Sequence, residues 1–380
     1  MHEVEHSRYI AEKRPVAEAL LKELRKKYDY VSVLVTDSKS KNYRVQKSGI
    51  SVGENHDFGG KGMVVRVYNG RSYAEYSTNE ICMEKLPEIL EKIEERLMTG
   101  VLPEGTEEAK YKALQDTPCT LRKATAYEIH PESRKDSEIL QLLHDLRNKA
   151  LAADDRLLDA GMAFEWQEYH KLFLSPNRDM EESVLLATAN LLLTALHGEQ
   201  VEMSYGGYSN LGGLEVLDQV ADDIPRLVKN VTDLLHAEPM IPGTYECICM
   251  PEVTGMIAHE AFGHGVEMDM YVKDRALASR YIGKRVASDL VTMHDGCAEN
   301  EVATYFFDDE GTLSQDTVII RNGILQTGIS DAQSALYLGT KPTGNGRRES
   351  YERKTYTRMT NTYFEPGSST LEEMIASVLP

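Results

Sequence analysis

The stretch GMIAHEAFGHGVEMD, running from Gly255 to Asp269, decides how the rest of the chain is read. It sets His259, Glu260 and His264 in one short segment. Two imidazoles and an adjacent carboxylate are what a hydrolytic zinc site needs. Neutral imidazoles bind Zn2+, and an open position takes a water whose pKa falls to about 7. The carboxylate then takes that water's proton and delivers it to the leaving amine. On this chemistry His259 and His264 are the candidate metal ligands and Glu260 the candidate catalytic base.

The spacing is unusual. In the common HExxH helix the histidines are four apart, only ~40° off one another around the axis. Here they are five apart, ~140° off in a regular helix, which aims them at different sides. Both reach one metal only if the backbone widens locally, as in a π-bulge. Gly263, directly before the second histidine, permits such a distortion. Without it these are two unrelated histidines near a helix end.

Upstream of this segment, Tyr245 to Met250 reads as a strand, with Cys247 and Cys249 on one side of it as buried thiols or as substitute metal ligands. Ala237 to Gly243, with Pro239, Pro242 and Gly243, reads as a domain boundary. The expectation is an α+β protein of two domains: an N-terminal mixed helix and strand domain over 1–240, and a strand-rich C-terminal domain over 241–380 that carries the metal helix. In the first, the spacing predicts helices over Pro15–Tyr28, Leu86–Leu97, Asp136–Ala153 and Leu214–His236, the last with a kink at Pro225. Strands are expected at Val31–Val35 and Lys171–Leu174; the apolar run Val184–Leu196 suits a strand or a buried helix. Asn69-Gly70 and Asn322-Gly323 each signal a hairpin. Ser369 to Pro380 reads as the start of a helix, with Thr370 as its cap and Leu371, Met374, Ile375 and Val378 on one face.

Net charge is −19, from 42 Lys+Arg against 61 Asp+Glu. Such a surface repels phosphates and anionic lipid, which argues against nucleic acid and membrane partners. The longest apolar stretch falls short of the ~20 residues of a spanning helix. The polar segment Met1–Arg14 is no secretory signal, and five cysteines, an odd number, read as reduced thiols. A cytoplasmic location is expected.

The segment Gly255–Asp269 resembles the metal-binding segment of the TldD/PmbA family of metallopeptidases. So do Phe307–Gly311, Pro342–Tyr351 and Arg358–Tyr363, in the family's order, and more loosely Gly62–Gly70 and Gly206–Glu215. The resemblance implies a TldD-like, HExxxH-bearing subunit that hydrolyses unfolded or small peptides in an enclosed dimeric chamber, as a homodimer or as a heterodimer with a sister subunit lacking the motif. It also implies a third zinc ligand, a cysteine in a C-terminal region beyond the stretch present here. No cysteine follows Cys297. The expectations are therefore an incomplete C-terminal domain, or another residue completing the shell. A non-catalytic partner subunit is the alternative reading.

Glu267 and Asp269 are candidates to orient the imidazoles, or are solvated acids in a loop. Arg347 and Arg348 lie in a glycine-rich loop that the resemblance places near the cleft, where guanidinium groups suit a peptide carboxylate or carbonyl; the alternative is an exposed loop. Gly344-x-Gly346 lacks the third glycine of a nucleotide fingerprint, and after Gly59, Gly60 and Gly62 Val65 occupies the position that glycine would need. His56, His130, His144 and His170 are scattered, and Cys297 has no motif partner.

Overall fold

The computed structural model describes residues 1–54, 60–99, 112–296 and 301–378. His56, Gly59 and Cys297 lie outside them. Apolar alternation builds most of the first part. Strands β1 (Tyr30–Gln46), β2 (Gly49–Gly53), β3 (Gly62–Tyr68), β4 (Tyr73–Thr78) and β5 (Cys119–Ala124) precede three long ones: β6 (Leu157–Leu174), β7 (Arg178–His197) and β8 (Gln200–Leu211). They form one sheet in the order β8-β7-β6-β1-β3-β4, with β2 also on β1 and β5 parallel to the start of β7.

Successive strand residues face opposite sides. On β1 the odd-numbered Val31, Val33, Val35, Tyr43 and Val45 are buried, and on β6 the even-numbered Met162, Phe164, Leu172 and Leu174 join them. Four helices cover this face: α1 (Arg8–Leu24), α2 (Leu86–Thr99), α3 (Asp136–Leu151) and α4 (Val216–Leu234). The first two close one apolar core and the last two another. Between these cores the same face is polar: Glu168 bonds the rings of His170 at 2.8 Å and His130 at 2.7 Å, and Ser7 donates to Asp37 at 2.6 Å. The opposite face offers Leu34, Val64, Phe173 and Met180, packed against Phe307 from the second half of the chain.

That second half contains short elements. Helices α5 (Pro251–Ile257), α6 (Met268–Val272) and α7 (Ala332–Leu338) surround a four-stranded sheet of β9 (Met293–Gly296), β10 (Thr317–Arg321), β11 (Ile324–Leu325) and β12 (Asn361–Phe364), in the order β11-β10-β9-β12. A last helix, α8 (Leu371–Val378), is closed by Thr370: Glu373 N donates to its Oγ1 at 3.2 Å, and Thr370 N donates back to Glu373 at 2.9 Å. Leu371, Met374, Ile375 and Val378 are all exposed.

The two halves meet through buried charge. Lys171 on β6 lies 3.2 Å from both Glu182 and Asp309, among the rings of Tyr305 and Phe307. Arg66 on β3 bonds Glu310 and Glu75. Burial alone would raise the Glu75 carboxyl; Arg66 and Arg348 outweigh it and hold it down at about 2.

Several local expectations are corrected. Helix α1 begins at Arg8 rather than Pro15, because Ser7 Oγ accepts from Ile10 N at 3.1 Å and starts it a turn and more earlier. The Asn69 hairpin pairs Tyr68 with Tyr73, so its loop is longer than two residues; the Asn69 side chain accepts from Arg71 N and Ser72 N and stabilises that longer turn. Val184–Leu196 is strand, within β7, and Lys171–Leu174 is the end of a strand that starts at Leu157. Helix α4 continues through Pro225. Asn322-Gly323 turns as expected, with φ of 47° and 76°, and pairs Arg321 with Ile324. Tyr245–Met250 is not a strand. No partner strand hydrogen-bonds it among the described residues, and Cys247 and Cys249 are exposed rather than buried.

Candidate metal centre

The segment starts as an ordinary helix, α5, with Pro251 at its first position. Over Ala258–Gly263 it widens to a π-helix, and His264 N bonds the carbonyl of His259, five residues back. This is the widening that the five-residue spacing requires. It brings the rings of His259 and His264 edge to face, with centroids 4.7 Å apart at 81°. One donor atom from each of His259, Glu260 and His264 lies within 4.8 Å of the others. Side-chain exposure is 49% for His259, 66% for Glu260 and 50% for His264, so the cluster is open to solvent.

Gly263 is required for a different reason from its freedom of backbone. Its φ is −53°, which any residue adopts. A Cβ there would stand 2.1 Å from Met359 Sδ and 3.2 Å from the carbonyl of Ala258. The glycine lets the π-turn sit directly on Met359. Ala258, Val266 and Met359 share one core with Met293, Ile320 and Leu325 of the small sheet, which seats the turn. After His264 the chain is pinned by Met268 N to Ile329 O at 2.9 Å and Ile329 N to Val266 O at 3.0 Å. Met359 is held in turn by Asp295, whose carboxylate accepts from Thr360 N, Thr360 Oγ1 and Thr362 Oγ1 at 2.7–2.8 Å and from Asn345 at 2.7 Å.

Of the candidate orienting acids, Glu267 touches the site. Its Oε1 is 3.3 Å from His264 Nδ1 and its Oε2 is 3.6 Å from Arg358. Burial raises the Glu267 carboxyl, against the pull of Arg358 and His264. When ionised it can only accept, which fixes the proton of His264 on Nδ1 and leaves Nε2 as the donor atom for a metal. Asp269 instead pairs with Lys273 at 2.9 Å, and among the described residues no hydrogen bond joins it to either imidazole. Arg347 lines the cleft, a cavity of about 410 Å³ beside the two histidines. Arg348 lines it too, but its guanidinium is bound to Glu75 and to the carbonyl of Arg353. Sequence reasoning does not single out Arg358 and Met359. Their signal was adjacency: they open the Arg358–Tyr363 block that had already stood out.

Two imidazoles of this spacing, one with its tautomer fixed by a buried carboxylate, fit a zinc ion in donor type. A second group, His130, Glu132 and Glu168, does not. Both nitrogens of His130 are engaged, by Glu168 at 2.7 Å and by Glu132 N at 3.2 Å, and Lys39 already bonds Glu132 at 2.6 Å.

The mixed α+β scaffold carries an HExxxH cluster opened by a π-turn, an arrangement whose donor types suit a metal-dependent hydrolase. Residues 242–379 match the family profile described as the PmbA/TldA metallopeptidase C-terminal domain. A metalloprotease TldD homolog of Haemophilus influenzae is 32% identical over 261 residues, covering 66% of this chain and 54% of that protein. One from Buchnera aphidicola is 41% identical over 145 residues, covering 38% of this chain and 30% of that protein. A protein of Saccharolobus solfataricus named zinc metalloprotease TldD homolog is 26% identical, covering 65% of this chain and 56% of that protein. Among solved structures, TldE from Thermococcus kodakarensis superposes with a TM-score of 0.69 at 18% identity, covering 96% of this chain and 80% of that one; this likeness is one of fold. Over residues 242–379 the chain matches the C-terminal domain of this metallopeptidase family, and it is similar to proteins named TldD homologs. It spans between about a third and just over half of the length of these three curated relatives. Among the described residues no helix is long and apolar enough to cross a membrane.

Proposed function

We propose that the chain is the catalytic, TldD-like kind of subunit, a zinc-dependent peptidase acting on unfolded or small peptides. The observation that carries this reading is the convergence of His259, Glu260 and His264 within 4.8 Å on a π-turn that the packing of Gly263 against Met359 supports. His259 and His264 would hold Zn2+, which supplies Lewis acidity when bound. Glu260, the most exposed of the three, holds the proton taken from the attacking water and returns it to the leaving amine. Glu267 keeps His264 in the tautomer that leaves Nε2 free. The two-histidine cluster contains no thiolate among the described residues, and a third protein ligand would strengthen it. The cytoplasmic, dimeric state, as a homodimer or with a sister subunit, is part of the same proposal.

The test is cleavage of a quenched peptide set, with zinc content measured on the same samples. Peptide cleavage that is lost on chelation and restored by zinc supports the peptidase. A well-folded protein that neither takes up zinc nor cleaves supports the non-catalytic partner reading instead.

A further inference from the structure

The net charge is −19, yet Arg347, Arg348 and Arg358 all line the cleft, with Glu349 in the same lining and Glu260 and Glu267 beside the imidazoles. Glu349 itself lies 3.9 Å from Arg353. The three arginines differ in what they can still bind. Arg348 is 5% exposed at its side chain and tied to Glu75. Arg347 is exposed, lies 5.3 Å over the ring of Tyr305, and makes no side-chain hydrogen bond or ion pair among the described residues. Arg358 is 46% exposed and lies 5.1 Å over Tyr356; Nη1 alone makes its contacts, to the carbonyl of Thr357 at 2.8 Å and to Glu267 at 3.6 Å. Stacking engages the face of a guanidinium and leaves its N–H edge, whose fork matches a carboxylate. Two cations are thus held in place by tyrosine rings, with donors left over; both line the cleft of the candidate metal ligands, and Arg347 also lines the neighbouring cavity that holds Tyr305.

We propose that Arg347 and Arg358 recognise a carboxylate of the peptide substrate, so that the cleft selects peptides with a free C-terminus or an acidic side chain near the bond that is cut. This rests on the peptidase reading. It also moves the recognition role from the Arg347–Arg348 pair of the sequence to Arg347 and Arg358.

The experiment uses one labelled peptide sequence in three forms: neutral with a C-terminal amide, neutral with a free C-terminus, and carrying one Asp with a C-terminal amide. Binding is read by fluorescence anisotropy and cleavage by mass spectrometry, on the zinc-supplied wild type, Arg347→Gln and Arg358→Gln. At least one carboxylate form is expected to bind about tenfold or more tighter than the neutral amide. Each substitution should remove most of that preference, its loss on the carboxylate forms exceeding its loss on the neutral amide. Which carboxylate form gains identifies its source. Equal binding of all three forms, no binding of any, or equal losses on every form in the variants overturns the proposal. Cleavage without charge preference refutes this proposal alone, whereas charge-dependent binding without cleavage refutes the peptidase reading alone.

Discussion

At the scale of single residues, Glu260 carries the sharpest expectation. Gln keeps its shape and hydrogen bonding but cannot take a proton at neutral pH. Glu260→Gln should keep zinc bound while kcat falls by roughly 10²–10⁴-fold, measured by peptide turnover alongside metal content. Near-normal turnover would remove Glu260 from the role of base. Gly263→Ala probes the turn beneath. Its methyl would collide with Met359 Sδ and crowd the Ala258 carbonyl, so a loss of about 1–3 kcal/mol in denaturant unfolding is expected, together with weaker zinc binding. The identity of the cluster was legible in sequence because imidazoles and carboxylates in one segment already limit the chemistry. The orienting role of Glu267 could be only half read. Glu267 and Asp269 look equivalent along the chain, and only the fold sends one to His264 and the other to Lys273.

At the scale of elements, the spacing of the two histidines carried more information than their identity. A regular helix cannot bring such residues together, so the π-turn over Ala258–Gly263 was implied by geometry before any coordinates. Local rules failed where tertiary packing decides. The run at Val184–Leu196 is mostly apolar, broken only by Thr188, Asn190 and Thr194, which serves a strand or a buried helix equally, and its pairing with Leu157–Leu174 settles the matter. The opposite failure is Tyr245–Met250, whose apolar residues suggested a strand that finds no partner among the described residues. The buried Asp295 would not be found by any motif rule, yet it ties the Thr360–Thr362 segment beside Met359 and so supports the turn. Asp295→Ala should leave several donors without an acceptor and cost about 2–4 kcal/mol of stability in chemical denaturation. Wild-type stability in that variant would show the network to be dispensable.

At the scale of the whole molecule, the large sheet acts as a partition, with helices on one face and the half that carries the histidine cluster on the other. The join is made of charges that no periodicity marks. Lys171 and Glu182 are paired on adjacent strands, Asp309 comes from the second half of the chain, and all three are almost fully buried. Lys171→Met would leave two carboxylates without their cation and should destabilise the protein by about 3–5 kcal/mol in urea unfolding. The join also has a pH signature. Glu75 is held at about 2 in the folded state, below the usual carboxylate value. A depressed carboxyl contributes stability that is present above its unfolded pKa and is lost as pH falls toward the folded one. Its contribution should therefore fade between about pH 4.5 and pH 2. Glu75→Gln should flatten that part of the acid unfolding profile, and an unchanged profile would show that Arg66 and Arg348 do not act on Glu75 in this way.

The central claim is that His259 and His264, brought together by the π-turn, hold one zinc ion. The measurement that tests it most directly is a zinc titration of the purified chain by calorimetry, with His259→Ala, His264→Ala and Glu260→Gln run alongside. The expected result is one zinc per chain in the wild type and in Glu260→Gln, with binding abolished or weakened by more than about tenfold in either histidine variant. Zinc binding of equal strength and stoichiometry in both histidine variants would contradict it.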